Sequence, residues 1–417
     1  MSITSSFYSA LSGLDTHATA MQVIGDNIAN IHTTGFKGSA AHFEDILGQS
    51  LSGGGSQTGA GAEVSSIDVD FYQGSFETTN VATDIALNGK GFFVVGNPIS
   101  DEQFYTRAGH FTLDNQGYYV NNEGYRVQGY LYDTSGENLI ETLSDIQINQ
   151  NSMVSPKVTS AGDMVLNLDA SQAAKTWDDT DPSGTSNFST ALTIYDTLGQ
   201  SHEIQVFFTK TGAQAWDWHA MIDGSDSGGT PGVLQVYGHG NLTFDTSGLL
   251  TSNMPENFYT ESITFANGLT PPSSTVDFTG TSQFGYESAV QSIVQDGYAP
   301  GMISGISING DGNIVASFTN GTVKNIARLA VADFTNYKGL LRKGSTLYAG
   351  TRESGPPLFN KPGVGGMGTI SSSMLEESNV DIAAQFIRMI VIQRGYQANS
   401  KVISTTDEML AQLLSVR

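Results

Sequence analysis

Apolar residues near the start of the chain recur at alternating spacings of four and three: Phe7, Leu11, Leu14, Ala18, Met21, Gly25 and Ile28. This is the heptad pattern of a helical seam, and it predicts an α-helix over residues 1–30. The end of the chain repeats it. Ser378 and Asn379 read as N-caps, and Asp381 sits in a first turn, where a carboxylate favours the positive end of the helix dipole. Ile382, Phe386, Met389, Tyr396, Ile403, Leu410 and Leu414 then form the seam of a helix over residues 378–417. Gln393, Ser400 and Asp407 fill the remaining seam slots, where polar residues weaken packing but fix register.

Between these helices the period falls to two. Ile85-Ala86-Leu87, the turn dipeptide Asn88-Gly89 and the apolar run 92–95 read as a hairpin. Tyr125, Val127 and Leu131 alternate with Arg126, Gln128, Tyr130 and Tyr132, a strand with two unlike faces. Further strands are expected at 191–195 and 203–208, with a hairpin at 306–319. Asp178 to Gly184 and residues 270–274 are loop-like, and Gly53 to Gly55 and Gly363 to Gly368 read as flexible linkers.

The expected fold is therefore mainly β with terminal α-helices. The two helices would form an assembly domain, and an inner β domain would carry an inserted outer β domain. The expected boundaries are 1–30 for the N-terminal assembly helix, 31–70 for a connecting region, and 71–145 and 285–360 for the inner domain. They continue with 146–284 for the outer domain, 361–377 for a linker and 378–417 for the C-terminal assembly helix.

Composition narrows the function classes. The formal net charge of -23 repels phosphate backbones, so neither nucleic acid nor an anionic membrane surface is an expected partner. With no cysteine, disulfides, thiol catalysis and Cys-ligated metals are excluded together. No apolar run is long enough to insert into a membrane, and the N-terminus has no pattern of a cleaved signal peptide.

The search for chemistry returns no catalytic, cofactor-binding or metal-binding candidate. His17, His32, His42, His110, His202, His219 and His239 lack ligand spacing. Asn309 to Asn313 and Asp223 to Asp226 contain fragments of calcium loops without the closing Glu, and read as turns. No nucleotide-binding glycine motif follows a strand. The informative feature is the pair of apolar stripes. They can pair within one chain, but Ile24, Ile390, Val402, Met409 and Leu413 beside the seams would then stay partly exposed, which favours self-association. Isolated helices being marginal in water, both termini are expected to order only when packed.

Residues 10–37, ALSGLDTHATAMQVIGDNIANIHTTGFK, and 378–410, SNVDIAAQFIRMIVIQRGYQANSKVISTTDEML, resemble the terminal motifs of the flagellar rod and hook axial protein family. TDIALNGKGFFVV and the YTRAGHFTLDNQGYYVNNEGYRVQGY that follows it are similar to the family's inner β domain. ALTIYDTLGQSHEIQVFFTK resembles a stretch typical of its hook branch rather than the shorter rod branch. The family-motif positions here are Asn27, Asn30, Gly35, Phe36, Lys37, Asn379 and Asp381, while Asp26 and His32 depart from the usual pattern. Lys37 is expected as either a solvated charge or a contact between subunits.

The resemblance implies a non-enzymatic, extracellular subunit that needs no cofactor. It would self-assemble into a curved hollow tube, the hook, acting as a universal joint between rod and filament. It also implies export through the flagellar type III apparatus, a cap scaffold at the growing end, and neighbours in the distal rod and hook–filament junction proteins. A distal rod subunit is the alternative within the family. A secreted carbohydrate-binding or carbohydrate-cleaving β protein is the alternative outside it, and leaves the stripes unexplained.

Overall fold

The structure, a computed structural model, describes residues 3–50, 57–149, 153–259 and 263–415. Helix α1 spans Ile3–Ala29 and helix α3 spans Ile382–Ser415, with a single-turn α2 at Pro182–Thr185 between them. Apart from a short 3₁₀ turn at Tyr337–Gly339, the remaining regular structure among the described residues is β. The helix-flanked β architecture is thus as the hydrophobic periods predict.

Contacts divide the chain into two compact units. One comprises Met1–Gln150, Gly305–Ser317 and Val323–Arg417; the other comprises Asn151–Ser304 and Phe318–Thr322.

In the first unit, strands Val323–Leu329, Arg126–Tyr132, Phe92–Gly96, Gln103–Thr106, Leu347–Ala349 and Leu341–Gly344 lie side by side in that order. Phe92, Val94, Tyr105, Phe334 and Tyr348 make the aromatic core on this sheet. Val127, Gln128, Gly129 and Tyr130 are all buried, so the strand expected to have two unlike faces is covered on both over its middle.

The Asn88-Gly89 turn does not close a hairpin. Strand Ile85–Asn88 pairs with Thr369–Ser372, whereas Phe92–Gly96 pairs with Gln103–Thr106, Arg126–Tyr132 and Val331–Asp333. A turn dipeptide sets a local reversal, but here both flanking strands gain more from remote partners in two different sheets. The expected hairpin at 306–319 does form, closed where the Asn309 N–H donates to Asn313 O at 3.0 Å.

The stretch expected to connect helix and β body is itself structured. Strands β1 (Ser39–Ser50) and β2 (Gln57–Val69) form a long antiparallel hairpin. It packs along α1, with the Phe43 ring edge-on to His17. The Gly53 to Gly55 linker lies outside the described residues. Gly363 to Gly368 form a tight turn rather than a loose tether, with the Gly363 N–H donating to Gly368 O at 3.0 Å.

The second unit has two four-stranded sheets. One is the meander Phe188–Tyr195, Ser201–Lys210, Ala215–Asp223, Leu234–Thr243; the other is ordered Glu256–Asn257, Thr275–Asp277, Ala161–Asn167, Ala289–Gln295. Period-two alternation sends Ile204, Val206 and Phe208, and opposite them Trp216, Trp218 and Ala220, into a core shared with Phe258 and Phe278. The two buried indoles are satisfied, Trp216 Nε1 donating to Gln283 and Trp218 Nε1 to Glu256, each at 2.9 Å. The acidic loop closes in α2, where Asp181 accepts from the Gly184 N–H at 3.1 Å.

Candidate functional site: an apolar helix surface and its root

Helices α1 and α3 pair, but not through the seams that the heptads mark. On α1 the buried positions are Ala10, Thr16, Ala20, Ile24 and Asn27. Small side chains let the backbones approach closely. A Cβ on Gly13 would come within 2.5 Å of Asn399 Nδ2, and one on Gly395 within 2.6 Å of His17 Nε2. Asn27 meets Gln385 further along. Since numbers rise on α1 as they fall on α3, the helices run antiparallel. The polar residues that α3 turns into this interface are Gln385, Asn399 and Thr406, while its Gln393, Ser400 and Asp407 face out.

The large hydrophobes are left on the flanks. Phe7, Leu14, Ala18, Met21 and Ile28 on α1 and Met389 and Ile403 on α3 are half-buried, and Leu11 and Gly25 are exposed. Ile382, Phe386, Tyr396 and Leu410 are exposed, Phe386 at 49%. Leu414 and Leu413 lie outside the described side chains. Ile387, Ile390, Val391, Val402 and Met409 are also open, whereas Ile24, expected to stay open, is buried. Heptad reading finds the largest hydrophobes; the pairing within the chain uses the smallest residues instead. The result is a long helix with uncovered Ile, Val, Phe and Met side chains along its outward side.

Family-motif residues gather where both helices meet the β body. Asn27 is buried and mimics a strand partner, its amide donating to Ser39 O and accepting from the Ser39 N–H, both at 2.8 Å. Asn30 caps the end of α1 through Asp26 O and Thr33. Gly35, at φ 68, donates to Glu376 O at 2.7 Å. Phe36 is buried under the Arg342 guanidinium.

Asn379 is not a helix cap. Its oxygen accepts from the Gly38 N–H at 2.9 Å while its nitrogen donates to Asp70 O and Tyr72 O. The cap is Asp381, which accepts from the Ala383 and Ala384 N–H groups at 2.7 and 3.1 Å. Asp26 reaches Arg342 at 3.9 Å, and His32 is exposed.

Lys37 is neither solvated nor at an open surface. It is fully buried, and its Nζ lies 2.5 Å from Glu376 Oε1, with Arg107 Nη1 3.3 Å from Oε2. Sequence reading did not single out Glu376 and Arg107, which lie 269 residues apart in the chain.

Among the described residues no cluster of His, Asp or Glu has metal-binding geometry, and no helix is long and apolar enough to cross a membrane. A cavity of about 640 Å³ lies beside Asp26, Phe36, His110, Arg342 and Thr346. The calcium-loop fragments are Asx turns: Asn309 accepts from the Asp311 and Asn313 N–H groups, and Asp223 from those of Ser225 and Gly232. His219 stacks on Trp177 at 4.0 Å, and burial, then its neighbour His239, pushes its pKa down to about 4.

Four family models match. They are described as flagella basal body rod protein (residues 7–37), flagellar hook protein FlgE/F/G D1 domain (86–165), flagellar basal body protein FlaE D2 domain (167–298) and flagellar basal body rod FlgEFG protein C-terminal (371–416). The flagellar hook protein FlgE of Borreliella burgdorferi is 33% identical, covering 99% of both chains. That of Escherichia coli is 31% identical, covering 99% of this chain and 100% of its own. A crystal structure of Helicobacter pylori flagellar hook protein FlgE2 superposes with a TM-score of 0.52 at 18% identity, over 72% of this chain and all of the other, a likeness of fold.

Proposed function

Because the chain belongs to the flagellar hook protein family and is a structural subunit of the hook, we propose that the outward face of α3, with the flanking seam residues of α1, is the surface through which subunits join into a hollow tube. The observation that carries this reading is the uncovered row on α3, Phe386, Ile390 and Val391 among it. Each large apolar side chain gains about 1.5–3 kcal/mol on burial, so a neighbouring copy covering the row would hold strongly. The helices are then the fixed inner wall. The second unit, with a core of its own, would shift against its counterparts as the tube bends, which is the behaviour of a universal joint.

The same reading gives the subunit no catalytic role and no cofactor. Its partners beyond further copies are the distal rod protein, the hook–filament junction protein, the cap scaffold and the type III export apparatus, which would pass it outward unprocessed.

The test is Phe386→Asp expressed in a strain lacking its own hook subunit. A carboxylate repeated at every contact along the tube costs several kcal/mol each time, on the order of a buried unpaired charge. Secreted but unpolymerised protein is expected; normal hooks and swimming would sink the assignment.

A further inference from the structure

Lys37, Arg107 and Glu376 come from three distant parts of the chain and meet in a dry site, their side chains 0%, 5% and 0% exposed. Two cations share one carboxylate. The cations' other acceptors are backbone carbonyls: Tyr72 O for Lys37, and Leu87 O and Gly89 O for Arg107. Burial lowers the pKa of both cations, and Glu376 opposes that shift in each.

Glu376 does more than balance charge. Its carboxylate accepts from the Gly74 N–H at 3.0 Å, its carbonyl accepts from the Gly35 N–H, and its backbone pairs with Phe76. Lys37 lies just beyond α1 and Glu376 just before α3, so this one residue ties the roots of both helices to the β body.

We propose that Glu376 is the positioning residue of the helix pair, and that its arrival gates closure of the site. Without it, Lys37 and Arg107 would be two like charges sealed together with no counter-charge, and the N-terminal half would not hold them dry. A chain whose C-terminal segment has not arrived therefore keeps this junction open. Both helix roots are set in one step, only when the chain is complete.

The test uses the full-length monomer, so its folding readouts do not depend on whether α3 is the assembly surface. Urea unfolding of the first unit is followed for K37M, E376Q and K37M/E376Q. The expected order of stability is K37M, then the double variant, then E376Q, because Lys37→Met leaves Arg107 paired while Glu376→Gln strands two cations. If the double variant is no more stable than E376Q, the proposal is overturned.

The gate itself is read by pulsed hydrogen exchange during refolding. The Ile85 amide, bonded locally to Gly109 O, should gain protection in the same phase as the Glu377 amide, bonded to Ser75 O. Protection of Ile85 in an earlier phase in the wild type would overturn the gate.

Discussion

The carbonyl oxygen of Ile85 occupies the space that a side chain at Gly109 would need: an added Cβ would lie 1.6 Å from it. The two residues are also bonded the other way, the Ile85 N–H donating to Gly109 O at 3.0 Å. Ile85 cannot retreat without opening the strand pair that links Ile85–Asn88 to Thr369–Ser372, and Gly109 cannot without losing that hydrogen bond. Gly109→Ala is therefore expected to destabilise the first unit by at least about 1–3 kcal/mol, the usual cost of overpacking. Gly25→Ala, on an open helix face with nothing within 4 Å of the new Cβ, should instead strengthen α1 by about 0.5–1 kcal/mol. Urea denaturation of the two variants checks both signs.

Asn379 ties Gly38, Asp70 and Tyr72 together, so protease should trim the helices of a dilute monomer but stop short of Lys37 and Glu376. Asn379→Ala leaves the Gly38 N–H and Asp70 O to water and Tyr72 O to Lys37 alone, and the cleavage sites should move inward past both residues. Asp381→Ala removes only the cap of α3, worth about 1 kcal/mol, and should leave those sites where they were. Mass spectrometry of the resistant fragments distinguishes the two.

The second unit should lose stability as acid is added. His219 titrates at about 4 in the folded chain against an ordinary value of 6.5, because burial and His239 disfavour its charged form. The unfolded chain takes up the proton first, so this contribution is complete above pH 6.5 and is lost as the pH falls from 6.5 towards about 4. His219→Phe keeps the stack on Trp177 and removes the titration. Denaturation midpoints at the two ends of that window should differ less in the variant than in the wild type.

The second unit also contains its own core, from Met164 to Phe278. Replacing residues 151–304 by a short Gly-Ser linker should leave the first unit with one cooperative melt. Calorimetry that shows no transition in the shortened chain would count against an autonomous insertion.

The helices and most strands were legible because their hydrophobic periods are local properties of the chain. What the periods could not give was choice of partner. Asn88-Gly89 looks like a hairpin because a dipeptide reports only its own turn. Lys37 looks like a surface charge, solvated or between subunits, because its counter-charge lies 339 residues away. The face by which the two helices pair within the chain was hidden for a related reason: Gly13 and Gly395 carry no hydrophobic signal, yet their lack of side chains decides which faces meet.

The two glycines are set against two polar side chains of the interface in a crossed pattern, Gly13 under Asn399 and His17 over Gly395. Sliding one helix by a turn, about 5.4 Å, in one direction would bring His17 level with Asn399, so that peg meets peg; in the other direction it would set Gly13 opposite Gly395 and leave a void. No intermediate stop seats both. The pair behaves as a keyed shaft with a single detent, stiff along its length, and any compliance the subunit needs must come from somewhere other than the helices.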